Sequence, residues 1–469
     1  MENKITISEQ INRDYRKYAL YVIQSRGIPN FYDALTPVQR LILENSPSSF
    51  KKTVGVIGEV FSTGLYHHGD VSMSKAISKL ARPFGCSDQI LIGDGFFGTP
   101  VNPSPSAPRY TQVKISPKYK ELLEKYKDLN VENEEGGHDW IHVDYPVGIS
   151  THIVGIAVGY KSNILPRKPE EIVSYLEGNK TKKLKPHFRG FKGKITKVDS
   201  LKSAWLIEGE TEIDVASRTF KIDSISPLQR YDAFFQRLNQ VLEQSLLNYK
   251  IENSSTEDVK ITIKFRCTDA EFKQIAERVS KETKQVVTEN IVFVKEGNVL
   301  EYDNIEDYFE DFLVHRERVF LNRFERDLFY LENDLEYLEA KLKFLIFMSE
   351  KKRDNEDVKN FLSQFRNEIS KRLESISLIK LTKEEINFTK EEIIKIKEDI
   401  KNKTIDIKKQ KTRLKEIEKN NSDLSKKSSK KISLMEDSKD EFFNGIRIFN
   451  PEDSEENEEE NEEKNTENE

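Results

Sequence analysis

Apolar and polar positions change rhythm three times along the chain. Up to about residue 120, apolar residues come in short helical runs broken by glycine. The stretch RKYALYVIQSRGIPNFYDAL opens with an apolar–aromatic helix. Thr36-Pro37 supplies an N-cap followed by proline at the first helical position, and predicts a helix over Val38–Glu44. A second helix is expected over Val54–Ser62, stopping at Gly64. A third is expected over Val71–Ala81, capped by Asp70, with Val71, Ile77 and Leu80 inward and Ser74, Lys75 and Ser78 outward. Three short helices with tight turns make a helix-turn-helix-like unit, whose last helix commonly enters the DNA major groove. On that reading Lys75 is a candidate DNA contact.

Between residues 140 and 300 the runs IVGIAVGY, GKITKV, AWLIEG, TEIDVA and VKITIKFRC fit strands, so this part reads as α+β. Gly155 and Gly159 belong to a strand reading and form no dinucleotide-binding fingerprint. From 305 to 420 the rhythm becomes heptad. Leu328, Leu331, Leu335, Leu338, Leu342 and Leu345 form one seam, and Ile386, Ile393, Ile396, Ile400, Ile407, Leu414 and Ile417 form a second. Two long helices around a short globular piece, Val358–Leu381, predict an antiparallel coiled-coil arm with a knob at its far end. Beyond Asn420 the serine–lysine and glutamate runs are expected to be disordered.

Composition narrows the partners. The chain has 469 residues and a net charge of −6. Residues 451–469 hold eleven acids against one base, a segment charge of −10, which leaves +4 on the preceding residues. A basic body with an acidic tail is compatible with a DNA partner. No run is long and apolar enough for a membrane span, and the N-terminus lacks the apolar core of a signal peptide, so a cytoplasmic protein with no membrane partner is expected. Cys86 and Cys267 stand far apart without metal-ligand spacing, so no metal site is expected on this chain.

The candidate chemistry lies in LIGDGFFGTPVNPSPSAPRYTQVK, residues 91–114. Pro103, Pro105 and Pro108 stiffen a loop that ends at Arg109-Tyr110. A tyrosine hydroxyl ordinarily titrates near pH ~10, so it attacks only where cations or a base favour phenolate. An adjacent arginine suits the charge that grows on a phosphate under attack. Alone, an Arg-Tyr pair is usually a surface or packing feature.

Its neighbourhood changes that. YDALTPVQRLIL, KKTVGVIGEV, LYHHGDVSMSKAISKLARPF and DGFFGTPVNPSPSAPRYTQVK follow one another within residues 32–114. GIAVGYKSNILPRKPEEIV and KPHFRGFKGKI come after them, then the double coiled coil. This ordered set resembles the breakage–reunion module of the type IIA DNA topoisomerases, over roughly residues 15–420.

The resemblance implies a multidomain α+β protein. Its parts would be an N-terminal arm (1–25), a winged-helix DNA breakage–reunion domain (26–142) and an α/β tower domain (143–304). A coiled-coil arm with an exit-gate (C-gate) tip (305–420) and a disordered acidic tail (421–469) would follow. Tyr110 would form a 5′-phosphotyrosyl bond and Arg109 would stabilise the transition state. Arg40, Lys52 and His68 would contact the cleaved strand, His68 alternatively shuttling a proton. Ile164 would wedge between base pairs. Leu41 stands where many relatives carry a second arginine, and His187 where they often carry tryptophan.

No TOPRIM carboxylate set, ATP-binding domain or C-terminal β-pinwheel is recognised in the sequence. Magnesium is therefore expected on a partner TOPRIM subunit and ATP on a partner ATPase subunit. Two copies of this chain would pair on double-stranded DNA to relax or decatenate it. A non-enzymatic DNA-bridging coiled-coil protein would explain the basic body and heptads but not the Arg-Tyr loop. A tyrosine recombinase would need dispersed catalytic arginines and has no use for the coiled coil.

Overall fold

The computed structural model describes residues 7–181, 183–350, 355–376, 383–424 and 431–433. It divides into two compact units, Met1–Phe312 with Leu424–Glu469, and Leu313–Asp423.

The first unit opens with α1 (Ile7–Val22), which runs into a π-helical turn at Ile23–Gly27. Then come α2 (Pro37–Glu44), β1 (Lys51–Lys52), α3 (Thr53–Ser62) and α4 (Asp70–Ala81). Next follow β2 (Leu91–Asp94), β3 (Gln112–Ile115) and α5 (Pro117–Tyr126). The strands form an antiparallel sheet in the order β1-β3-β2 beside the three helices. At the start of α2 the Gln39 side chain accepts from the Thr36 N–H at 2.9 Å and from its hydroxyl at 3.0 Å. This is half of a capping box, and it fixes where the helix begins.

Helix α4 departs from its expected capping and facing. Gly69 is its N-cap, and Asp70 lies in the first turn without capping. Its buried stripe is Met73, Ile77, Leu80 and Ala81, the i, i+4, i+7 pattern of one helical face, while Val71 is exposed. Asp70 still favours the helix start by sitting at the positive end of its dipole.

The hairpin β4 (Ile153–Ala157) and β5 (Tyr160–Ile164) replaces the single strand expected through Gly159, which takes a positive φ of 77° in the turn. After α6 (Pro169–Leu176) come β6 (Lys194–Lys197), β7 (Ala204–Glu208), β8 (Thr211–Asp214) and β9 (Thr219–Ile222). Then follow α7 (Tyr231–Gln244), β10 (Asn248–Asn253), β11 (Ile261–Arg266), α8 (Asp269–Glu282) and β12 (Lys284–Thr288). The sheet β10-β11-β9-β8 is antiparallel. It buries Phe220, Ile261, Ile263 and Phe265 against Phe234 and Leu238 of α7 and Phe272 and Ile275 of α8. A second sheet runs β12-β7-β6.

A third pairs β13 (Ile291–Lys295) with β14 (Asn298–Tyr302) and adds β15 (Lys431–Ser433). Strand β15 falls inside the segment expected to be disordered. So do the last residues, up to Leu424, of the helix that starts at Lys383. The remainder of that segment lies outside the described residues.

Between β5 and the sheet β12-β7-β6, the fully buried Arg167 donates to Glu289 through Nη1 at 2.5 Å and Nη2 at 2.7 Å. Glu289 also accepts from the Trp205 indole at 2.8 Å and the Leu165 N–H at 2.8 Å. Every oxygen of this buried carboxylate is therefore satisfied, the condition under which a buried pair is tolerated.

Helix α9 (Ile305–Glu350) continues into the second unit. There it runs antiparallel to α12 (Lys383–Leu424), because pairs advance along one helix as they retreat along the other. Arg318 meets Glu418 at 2.7 Å, Asp327 meets Lys403 at 2.9 Å and Lys341 meets Glu385 at 2.6 Å. The seam residues Leu338, Leu345, Ile393 and Ile407 are buried between the helices. Glu317 is buried too, accepting from Gln410 at 2.7 Å and meeting Arg413 at 3.1 Å, a polar pin of the kind that sets register. The knob consists of α10 (Asn355–Leu362) and α11 (Asn367–Glu374), packed through Leu362, Ile369 and Leu373 on Ala340 and Phe344. Residues 377–381 of the expected knob lie outside the described residues.

Substituting Arg167→Met strands the Glu289 charge. It should cost about 3–5 kcal/mol in urea unfolding followed by tryptophan fluorescence, whereas a loss below about 1 kcal/mol would show that the pair carries no such role.

Candidate active site on the Arg109–Tyr110 loop

Helix α3 begins without a side-chain cap, since its N-cap is Lys52. The free N–H groups of its first turn are met by the loop instead. Thr53 N–H donates to the Thr111 carbonyl at 3.0 Å, and Val54 N–H to the Pro108 carbonyl at 3.3 Å. The loop thus caps the helix, and the two capping carbonyls bracket Tyr110. Between them Tyr110 N–H closes a turn onto the Ala107 carbonyl at 2.9 Å.

Further back, Ser106 N–H donates to Phe96 at 2.9 Å, and Thr99 N–H to Asn102 at 2.8 Å. Gly95, at φ 97°, lets the loop turn where a Cβ would lie 3.2 Å from the Tyr110 carbonyl. The backbone is tied down on both sides while the Tyr110 side chain is 64% exposed. The Arg109 guanidinium lies 4.8 Å from the centre of the Tyr110 ring, a cation over an aromatic face. What is presented to solvent is a phenol and a fixed positive charge.

Three of the expected DNA contacts lie on the surface of the same unit. Lys52 is exposed on β1, opposite Gln112 and so two residues from Tyr110 along the partner strand. Lys75 is exposed on α4. His68 is half-exposed, its ring edge-on to Tyr66 at 5.4 Å. Burial, with help from the charges of Arg26 and His67, holds His68 below the ordinary histidine range. It is therefore neutral at neutral pH, free to accept a proton or donate a neutral hydrogen bond.

Two others are placed differently. Arg40 is buried, gripping Asp33 through Nε at 2.7 Å and Nη2 at 3.1 Å and the Leu35 carbonyl at 3.2 Å. Asp33 also accepts from the Leu35 and Ile141 N–H groups. In this arrangement the arginine is engaged within the fold. Ile164 is fully buried opposite Ile153. The apolar side chains that the hairpin does expose are Val154 and Ile156, the latter 71% accessible.

Sequence motifs pass over Lys79 and Arg82, which continue from Lys75 at i+4 and i+7. Burial, and secondly the charge of Arg82, push the Lys79 ammonium down to about 8. Arg82 keeps its guanidinium 5.0 Å over the Phe84 ring, and its Nε is buried without a hydrogen-bond partner among the described residues. Nearby His152 is pushed down to about 4, mainly by burial and further by these two cations. The spacing could have flagged the row; the strain of crowding these charges could not be read from it. Among the described residues no group of three or more His, Cys, Asp or Glu is placed to hold a metal ion, and no helix is long and apolar enough to cross a membrane.

The whole chain can be set beside known proteins. The phage T4 DNA topoisomerase medium subunit is 23% identical over 351 residues, which cover 70% of this chain and 77% of that one. The A subunit of a Buchnera aphidicola DNA gyrase is 30% identical over 46% of this chain, and the Arabidopsis thaliana DNA topoisomerase 2 is 28% identical over 66%. The matched regions span only 28% and 22% of those two longer proteins. The DNA-binding, cleavage and re-ligation domain of Plasmodium falciparum topoisomerase II shares the fold, with a TM-score of 0.70 at 20% identity over 90% of this chain and 65% of that one. The sequence profile of the A subunits of DNA gyrase and topoisomerase IV matches residues 26–461. The chain belongs to that family of type IIA topoisomerase subunits.

Proposed function

We propose that this chain cleaves and religates double-stranded DNA, with Tyr110 as the nucleophile. The observation that carries the reading is an exposed phenol on a backbone pinned on either side, at Pro108 and Thr111, under an arginine guanidinium. The Tyr110 oxygen attacks a backbone phosphorus, the bond to the 3′ oxygen breaks, and that oxygen leaves with a proton. One phosphodiester is exchanged for another, so the reverse reaction reseals the strand without further energy input. Arg109 sits where its charge can offset the charge that accumulates on the phosphate oxygens. Rigid attachment of the loop holds the nucleophile near attack geometry.

Lys52, His68 and Lys75 serve as contacts to the DNA backbone in this account. Lys79 extends the row along α4, where a phosphate would relieve its crowding with Arg82. The helices α2–α4 with the sheet β1-β3-β2 act as a winged-helix domain within residues 26–142. Residues 143–304 act as the tower, and the arm within 305–420 acts as an exit gate. Two copies paired on a two-fold axis would cut both strands. Magnesium and ATP are assigned to partner TOPRIM and ATPase subunits.

A Tyr110→Phe chain, assayed with its co-purifying subunits, should bind DNA as the parent does and lose covalent DNA adducts by more than about a thousandfold. Adducts persisting in that variant would remove Tyr110 from the mechanism. A second outcome follows from Lys79, whose pKa is lowered in the folded chain to about 8. Its charge therefore costs stability below that pH, a cost relieved as pH rises toward the unfolded value of about 10.4. Phosphate binding should restore the proton, so DNA binding near pH ~8.5 should take up a large part of one proton in calorimetry across buffers of different ionisation enthalpy. Lys79→Met should abolish the uptake; an unchanged uptake would detach Lys79 from DNA.

A further inference from the structure

Thr53 and Thr111 meet where β1 turns into α3 and the tyrosine loop enters β3. Strand register pairs Lys51 with Val113 and Lys52 with Gln112. One more step brings Thr53 opposite Thr111. There the main-chain contact is a single bond from Thr53 N–H to the Thr111 carbonyl at 3.0 Å. The side chains complete the rung, with both threonines buried and their hydroxyls 2.8 Å apart. Among the described residues each hydroxyl is the other's side-chain partner. A buried hydroxyl left alone loses its hydrogen bond and regains none from water, so the two hold each other in place.

The position of this rung gives it a consequence. Thr111 directly follows Tyr110, and Thr53 directly follows Lys52. The hydroxyl pair thus bridges the loop bearing the nucleophile to the strand bearing a cation for the same DNA backbone. We propose that the Thr53–Thr111 pair is a positioning latch that sets the reach of the Tyr110 oxygen toward a phosphate held beside Lys52. This rests on the reading of Tyr110 as nucleophile. Neither threonine touches the reacting atoms. Their effect is on where the phenol stands, and a misplacement of about 1 Å can cost about a hundredfold in rate.

The test uses the full-length chain with its co-purifying subunits and two double variants. Thr53→Val with Thr111→Val removes both hydroxyls together, so neither is left orphaned. Thr53→Ser with Thr111→Ser keeps both. Three quantities are read: the single-turnover rate of covalent adduct formation, DNA affinity, and hydrogen exchange at the Thr53, Val54 and Tyr110 amides. The valine pair should slow adduct formation by about ten- to a hundredfold, leave DNA affinity unchanged and speed exchange at those amides, and the serine pair should restore all three. Wild-type adduct rates and exchange in the valine pair would overturn the latch. So would a rate loss matched by lost DNA affinity or a lowered melting temperature. If the wild-type chain forms no adduct, the nucleophile assignment itself fails, and faster or unchanged exchange at the three amides still decides whether the hydroxyl pair holds the loop.

Discussion

An α-helix begins with N–H groups that have no partner inside the helix. In this protein the start of α3 is completed by the Pro108 and Thr111 carbonyls, which stand on either side of Tyr110. Helix and loop therefore need each other. The helix lacks a side-chain cap, and the loop's own N–H groups bond back within the Phe96–Tyr110 stretch, so its carbonyls make the tie to the helix. A residue that must meet a large substrate has to be exposed, and exposure ordinarily brings mobility. Here the backbone is restrained by a rigid element while the Tyr110 side chain stays exposed.

The same division of labour recurs in the charges. Arg40 with Asp33 and Arg167 with Glu289 are buried and bidentate, so their charges are used within the fold. Arg109, Lys52 and Lys75 are exposed, and Lys79 with Arg82 is crowded rather than neutralised. Cations held together without carboxylates destabilise the free protein modestly and favour a phosphate partner. Burial and pairing, more than residue type, separate the two groups.

Much of this is legible in the sequence, and the exceptions have physical causes. The heptad leucines and isoleucines, the Thr36-Pro37 helix start and the order of helices before the Arg-Tyr loop follow from local rules. Helical periodicity alone turns Val71 inward, but the buried stripe of α4 begins at Met73, a shift set by what the helix packs against. Arg40 and Ile164 match motifs yet are buried, because a motif names a residue and not its partners. Strands β9, β10, β12, β13 and β14 fall outside the runs read as strands, although IVFVK of β13 is an apolar run of strand type. Strand β15 has no local signal at all, being a three-residue addition to the edge of β14 from a charged segment.

The central claim concerns one bond. DNA incubated with the assembled subunits can be quenched with denaturant, digested with nuclease and protease, and the nucleotide-bearing peptide identified by mass spectrometry. The account predicts a single modified residue, Tyr110, carrying a 5′-linked nucleotide. A nucleotide on any other side chain, or a 3′ linkage, would contradict it.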